Sequence, residues 1–313
     1  MQPVNIPFSP ILINMAELMK GLIVKAISGF YYVSVQDTVY ECRARGAFRK
    51  EGSSPLVGDR ADITADASGK GVIEKIYERK NSLIRPAIAN LDKLFIVSSY
   101  EIPAPNPLII DRLTAICHFY SIIPVIVFNK CDLGDFSEYR EIYEKSGYST
   151  IVVSAQTGEG IELLQNEIRG CVSAFTGNSG VGKSSLLNFL FPKLKLQTGE
   201  VSDKLGRGRH TTRHTELFKH NFEGYVADTP GFSSLDTQYF SLEFKESLAD
   251  CFPDFADYIS GCRFADCAHI GEKGCAVAAA VQKGKIQKSR FESYKAIYNE
   301  LKDLKSWEKP KNR

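Results

Sequence analysis

The run "GNSGVGKSS" at residues 177–185 limits the fold more than any other stretch of the chain. It follows the apolar segment "CVSAFT" and leads into "SSLLNFLF", so a buried strand turns through a glycine-rich loop into a helix. Glycines let backbone N–H groups turn inward onto phosphate oxygens, and the N-terminus of the next helix adds positive field there. Gly177, Asn178, Ser179, Gly180, Val181, Gly182 and Ser185 read as the phosphate cradle. Lys183 is placed to reach the β- and γ-phosphates, and the Ser184 hydroxyl to fill one Mg²⁺ position. Such a loop belongs to a parallel sheet with helices on both faces. The neighbouring apolar runs "KLFIVSSY", "PVIVFN" and "TIVVSA" fit that sheet, with helical patterns at 107–120 and 160–169 between them.

A second motif lies upstream of the first. "VFNKCD" ends an apolar strand in Asn129, Lys130 and Asp132. A carboxylate at Asp132 accepts from guanine N1–H and its 2-amino group, while Asn129 and Lys130 brace the loop and cover the base. Adenine would leave that carboxylate unpaired, a mismatch that such sites reject by roughly 10⁴-fold. "VSAQTG" supplies Ser154 and Ala155, whose backbone suits the base oxygen. Downstream, "VADTPGF" places Asp228 at a second Mg²⁺ position and Gly231 at the γ-phosphate. The base-reading loops therefore precede the phosphate loop, an order that a circular permutation explains. All these loops sit at the C-terminal ends of parallel strands, so cutting the chain elsewhere leaves each strand's neighbours unchanged. The segment leaving the γ-phosphate loop then runs into the C-terminal region, which suggests mechanical transmission of nucleotide state.

Between these motifs lies "KLGRGRHTTRHTELF", in which Thr211 or Thr212 is the expected switch threonine on Mg²⁺. Phe232 occupies the position after Gly231 where a water-orienting Gln is often found. His210 is the candidate to orient or deprotonate water in its place, since imidazole titrates near neutral pH.

The remaining sequence frames this centre. At 313 residues the chain exceeds one compact core, and its net charge of +2 implies no polyanionic partner by itself. The tail from Ala276 to Arg313 is basic, with ten Lys/Arg against four Asp/Glu. From Lys20 to Ile76, short strand segments separated by turns predict a small barrel of the oligonucleotide-binding type. Arg43, Arg45 and Arg49 are candidates for a phosphate-binding face on it. After Ser241 the pattern is helical, and Ser289 with Glu292 reads as a capping box opening the last helix. Within this region Cys262-x4-Cys267-x-His269-x5-Cys275 suits a closed tetrahedral site for one structural Zn²⁺. Cys42, Cys117, Cys131, Cys171 and Cys251 read as packed thiols in a reducing compartment. No apolar run is long and uninterrupted enough to span a membrane, and no secretory signal is evident. The expected location is cytoplasmic. All three methionines fall within the first 19 residues, so residues 1–18 read as an extension, with Met15 or Met19 as alternative starts.

"NKCD", "SAQTG", "GNSGVGKSS", "GRGRHTTR", "DTPGF" and the Cys–Cys–His–Cys cluster, in that order after a barrel, closely resemble the bacterial RsgA (YjeQ/YloQ) family of circularly permuted GTPases. The resemblance covers residue 19 to the C-terminus. It implies a multidomain α/β protein: an OB-type β-barrel at 19–85, a circularly permuted P-loop GTPase domain at 86–238 and a helical zinc-binding domain at 239–313. It also implies GTP hydrolysis to GDP stimulated by the small ribosomal subunit during its late maturation, with Mg²⁺ bound alongside GTP. The flanking domains are expected to contact 16S rRNA, and the protein to act as a monomer. A GTP-dependent binding module with incidental turnover is the alternative. A metabolic kinase would leave "NKCD" and "SAQTG" without a role.

Overall fold

The computed structural model describes residues 18–46, 48, 54–84, 86–100, 102–192, 215–220, 223–228 and 242–302. Two compact units emerge: residues 1–55 with 59–78, and residues 56–58 with 79–313.

In the first unit, β1 (Met19–Ile27), β2 (Phe30–Val35), β3 (Thr38–Ala44), β4 (Arg60–Ala65) and β5 (Lys70–Ile76) form a closed barrel. The order is β1-β2-β3-β5-β4, and β4 pairs back onto β1. All neighbours are antiparallel except β3 and β5. Ile23, Val33, Cys42, Ala61, Ile63 and Ile73 alternate inward and fill the interior. Register irregularities after Ile23 and after Asp62 bend the strands enough to close so small a barrel. Arg43 lies 4.7 Å from the centre of the Phe30 ring and Arg45 is paired with Glu74 at 2.5 Å. Arg49 is outside the described residues.

The second unit begins with the two-residue pair β6 (Ser82–Leu83) and β7 (Ile88–Ala89). Its main sheet runs β10 (Ser149–Val153), β9 (Ile123–Asn129), β8 (Lys93–Ser99), β11 (Val172–Thr176), β13 (Gly224–Asp228), β12 (Glu216–His220). All pairings are parallel except β12–β13. The chain leaves the centre at β8, works out to β10, then returns to β11 and builds the other half. The order thus reverses between β8 and β11, and a crevice at the C-terminal ends of strands is expected at that reversal. Helices α1 (Pro107–Phe119), α2 (Ser137–Lys145), α3 (Ile161–Ile168) and α4 (Lys183–Leu190) connect the strands. Asn106 caps α1 by accepting from the Ile109 N–H, and Pro107 supplies a fixed φ at its first position. Phe95, Val97, Val125, Val127, Phe175 and Leu186 form part of the core of this unit.

The C-terminal helices α5 (Leu242–Glu246), α6 (Ala256–Ile259), α7 (Ala276–Gln282) and α8 (Lys288–Leu301) belong to this same unit. The capping box expected at Ser289 and Glu292 does not form. Gln287 is the N-cap, without a side-chain bond, and Ser289 and Glu292 lie inside the helix. Burial of Ile286 and Arg290 sets where the chain enters α8, and Glu292 pairs with Lys295 instead. Arg290 is completely buried. Its Nη1 donates to Asp111 of α1 at 2.7 Å, its Nη2 to Asp254 at 2.7 Å and to the Tyr148 hydroxyl at 3.2 Å. The guanidinium also lies 4.9 Å from the Tyr148 ring centre and 4.8 Å from that of Phe252. Burial pushes the Asp111 carboxyl pKa upward, and the Arg290 charge opposes the shift. The charge pair Asp111–Arg290 therefore ties the last helix to the sheet domain.

Removing one partner of a buried pair leaves the other charge unpaired, at a cost of about 3–5 kcal/mol. Arg290→Ala is expected to lose that much stability, read as lost amide-exchange protection in α1 and α8. Arg290→Lys should recover only part of it, because an ammonium cannot serve Asp111, Asp254 and Tyr148 in one planar fork.

Candidate active site and metal centre

Parallel strands deliver the site residues to one edge. Asn129 ends β9, Ser154 follows β10, Gly177 follows β11 and Asp228 ends β13. Asn129 and Ser99, the last residues of β9 and β8, stand opposite each other in register.

The phosphate loop has the backbone that its glycines permit. Gly177, Gly180 and Gly182 take φ values of 138°, 85° and 92°, a region that side chains disfavour. A Cβ on Gly177 would strike the Val97 carbonyl, and one on Gly182 would strike the Asn129 amide. Val181 is buried between these turns. Lys183 opens α4, and its Nζ donates to the carbonyls of Gly177 and Asn178, both at 2.7 Å. It therefore arches over its own loop, the position expected for a phosphate-contacting lysine. Ser184 and Ser185 occupy the first turn of α4.

The base-reading loop is wired to the phosphate loop directly. Asn129 is buried, and its Nδ2 donates to the Val181 carbonyl at 2.8 Å. Its Oδ1 accepts from the Ala155 N–H at 3.2 Å. One carboxamide thus joins the three sequence motifs. Lys130 turns the chain in a left-handed conformation at φ 67°, leading into a single 3-10 turn, Cys131–Leu133, that carries Asp132. Ser154 Oγ donates to Asp132 Oδ1 at 2.5 Å and accepts from the N–H groups of Gln156 and Thr157. Asp132 is thereby aimed by a serine that is itself held by backbone.

Asp228 closes β13, and only its backbone is described. His210, Thr211, Thr212, Gly231 and Phe232 lie outside the described residues, as does the segment expected to carry nucleotide state toward the C-terminal region.

Cys262, Cys267, His269 and Cys275 converge, with their ligand atoms all within 4.8 Å of one another. His269 Nδ1 is 3.4 Å from Cys262 Sγ and 3.5 Å from Cys275 Sγ. Three sulfurs and one imidazole at this spacing fit a tetrahedral metal ion with no open position. Burial opposes charge on the Cys262 thiol, but N–H donation from Ala276 and Val277 and hydrogen bonds from Cys267 and Cys275 together outweigh it and lower its pKa. Burial also lowers the His269 pKa and favours the neutral imidazole that a metal requires. Two groups that the sequence reading missed shape this loop. The Glu272 carboxylate accepts from the N–H groups of Ala268, Ile270 and Gly271 at 2.8, 2.9 and 3.1 Å. From the other side, the Tyr294 hydroxyl of α8 donates to the Ala268 carbonyl at 2.8 Å. Arg290 and Tyr294 stand one helical turn apart, so α8 holds the sheet domain and the metal loop together. For Glu272 the signal was present as an acidic residue within a ligand loop.

A strand–P-loop–helix on a sheet whose base-reading strands come first in the chain defines the circularly permuted GTPase class. Known proteins agree. The family described as RsgA GTPase matches residues 76–238, and that described as RsgA N-terminal domain matches residues 20–73. A protein called small ribosomal subunit biogenesis GTPase RsgA, from Bacillus cereus, is 44% identical over 292 residues, covering 91% of this chain and 98% of that protein. The protein of the same name from Alkaliphilus metalliredigens is 44% identical over 290 residues, with the same shares covered. Among solved structures, YjeQ from Thermotoga maritima superposes with a TM-score of 0.80 at 36% identity, covering 92% of this chain and all of that one. YloQ, described as a circularly permuted GTPase, gives 0.78 at 35% identity, covering 94% of this chain and 98% of that one. The chain belongs to the RsgA GTPase family and is a GTP hydrolase. Membership in a GTPase family implies Mg²⁺ bound alongside GTP. Among the described residues, no helix is long and apolar enough to cross a membrane.

Asn129→Ala breaks both inter-loop hydrogen bonds, each worth about 0.5–1.5 kcal/mol. GDP affinity is expected to fall roughly 10- to 100-fold, measured by fluorescence titration. Elemental analysis of the folded chain should find one tightly held metal ion, lost in Cys267→Ser.

Proposed function

We propose that this GTPase binds the small ribosomal subunit and hydrolyses GTP in a subunit-stimulated manner during late small-subunit maturation. The name carried by its relatives supplies the partner. The observation that supports a guanine-nucleotide centre is the Asn129 carboxamide, bonded at once to the phosphate loop and to the loop of Ala155.

In this reading Asp132 accepts from the guanine donor edge, Ser154 aims it, and Asn129, Lys130 and Ala155 complete the base pocket. The N–H groups of residues 177–185 and the Lys183 ammonium hold the phosphates, with Gly231 at the γ-phosphate. Mg²⁺ is held by Ser184, Asp228 and either Thr211 or Thr212, and supplies charge neutralisation at the transferring phosphoryl group. His210 is the candidate to orient the attacking water. Without a glutamine after Gly231, turnover is slow until the partner completes the arrangement. The Cys262–Cys267–His269–Cys275 centre holds structural Zn²⁺, for which a sulfur-rich closed site is suited.

Function divides along the chain into an RNA-contacting barrel at 19–85, the GTPase at 86–238 and the zinc-bearing helical region at 239–313. Basic residues of the barrel and the tail supply contacts to 16S rRNA phosphates. The protein works as a monomer in the cytoplasm.

GTP turnover with and without purified small subunits tests this reading, repeated at raised salt. Strong stimulation that weakens as salt rises is expected. Unchanged turnover with saturating subunits would instead favour a binding module that acts through occupancy.

A further inference from the structure

Tyr100 is the first residue beyond β8, immediately past the Ser99–Asn129 register pair. The residue is 38% exposed, too open for the core, yet its packing is specific. A Cβ placed on Gly134 would fall among the Cζ, Cε1 and Cε2 atoms of that ring. Gly134 has φ 169°, ordinary extended backbone that any residue adopts. The glycine is therefore there for the ring and not for the turn. Tyr100 also meets Phe136 edge to face at 5.6 Å, and Phe136 stacks on Phe128 of β9 at 4.9 Å. The ring closes an aromatic column founded on the same strand that ends in Asn129.

These contacts bear on Asp132. The loop that carries it is tied at its start by Asn129 to Val181 and Ala155. Its far limb, Gly134 to Phe136, is held by the Tyr100 ring. Within the loop, the Asp132 carboxylate accepts from the Ser154 hydroxyl. A carboxylate that must meet two donors on one base edge needs placement to about half an ångström, which a loop anchored at one end does not give. On the near side, the Ser99 hydroxyl donates to the Pro103 carbonyl, and Pro103 lies against Gly180 of the phosphate loop. The segment after β8 thus touches both halves of the nucleotide site.

We infer that Tyr100 is a positioning residue for guanine selectivity, holding the Asp132 loop through ring contact with Gly134 and Phe136. This rests on the guanine-site reading above. Removing the ring would loosen the loop and cost the carboxylate its fit to both donors of the base edge, and with it discrimination by the 2-amino group.

The test measures affinities of the full chain for GDP and IDP, which differ only by that amino group, together with thermal midpoints. Tyr100→Ala should weaken GDP about tenfold and lower the GDP-to-IDP affinity ratio about threefold or more. Tyr100→Phe should retain the parent ratio. Gly134→Ala, with Tyr100 intact, should reproduce the loss by intruding on the ring, and it stands in if Tyr100→Ala fails to fold. A ratio unchanged in Tyr100→Ala or Gly134→Ala, including an equal loss for both nucleotides, would overturn the inference. Asp132→Ala separates the two levels: if it also leaves the ratio untouched, the guanine-site reading itself fails. If it abolishes discrimination while the Tyr100 and Gly134 variants do not, only the role of Tyr100 falls.

Discussion

The Asn129 carboxamide is the interaction on which the nucleotide-facing edge depends. It is a buried amide at a strand end, bonded on one side to the phosphate loop and on the other to the loop after β10. Such a group costs free energy unless both its ends are satisfied, so its two bonds favour the arrangement in which the three loops meet. A parallel sheet makes that possible, because every strand presents its C-terminal end at the same edge. Chain order is then irrelevant to the site. The permutation moves the termini and leaves the bonds of Asn129 intact.

What permutation does change is how the C-terminal region is joined to the sheet domain. Among the described residues, helix α8 joins them, seated through Arg290 on Asp111 and Tyr148, and Phe119 of α1 meets Phe244 of α5 edge to face at 5.3 Å. One turn further, Tyr294 grips the loop that carries Cys267 and His269. A metal ion at the cluster would stiffen that loop, and α8 would pass the constraint to α1. Tyr148 leads directly into β10, and β10 leads into Ser154, so the pair also touches the strand behind the base-reading loop. The Cys–His cluster is thus linked through α8 to α1 and to the strand that leads into Ser154.

Local grammar made much of this legible from sequence. The glycine pattern of 177–184, the Asn-Lys-x-Asp run that starts at the end of β9 and the Cys–His spacing are each written within a short stretch of residues. Strand periodicity likewise marked the barrel and the parallel sheet. The Arg290–Asp111 pair spans 179 residues and joins two helices that read as independent, so no window could reveal it. The capping box at Ser289 failed for a related reason: burial of Ile286 and Arg290 outweighed a local end signal worth about 1 kcal/mol. Tyr100 and Gly134 each look unremarkable alone, and only the Ser99–Asn129 register brings them together. Glu272 escaped notice because a carboxylate among four metal ligands reads as another ligand or as a surface charge, not as an acceptor for loop N–H groups.

The central claim is that loops written in permuted order form one guanine-nucleotide site. Calorimetric titration of the full-length, metal-loaded chain with GDP and with ADP tests it most directly. One GDP bound per chain is expected, with ADP weaker by a factor on the order of 10³ or more, since Asp132 would face an adenine edge that offers it no matching donors. Equal affinity for the two nucleotides, or binding of neither, would contradict it.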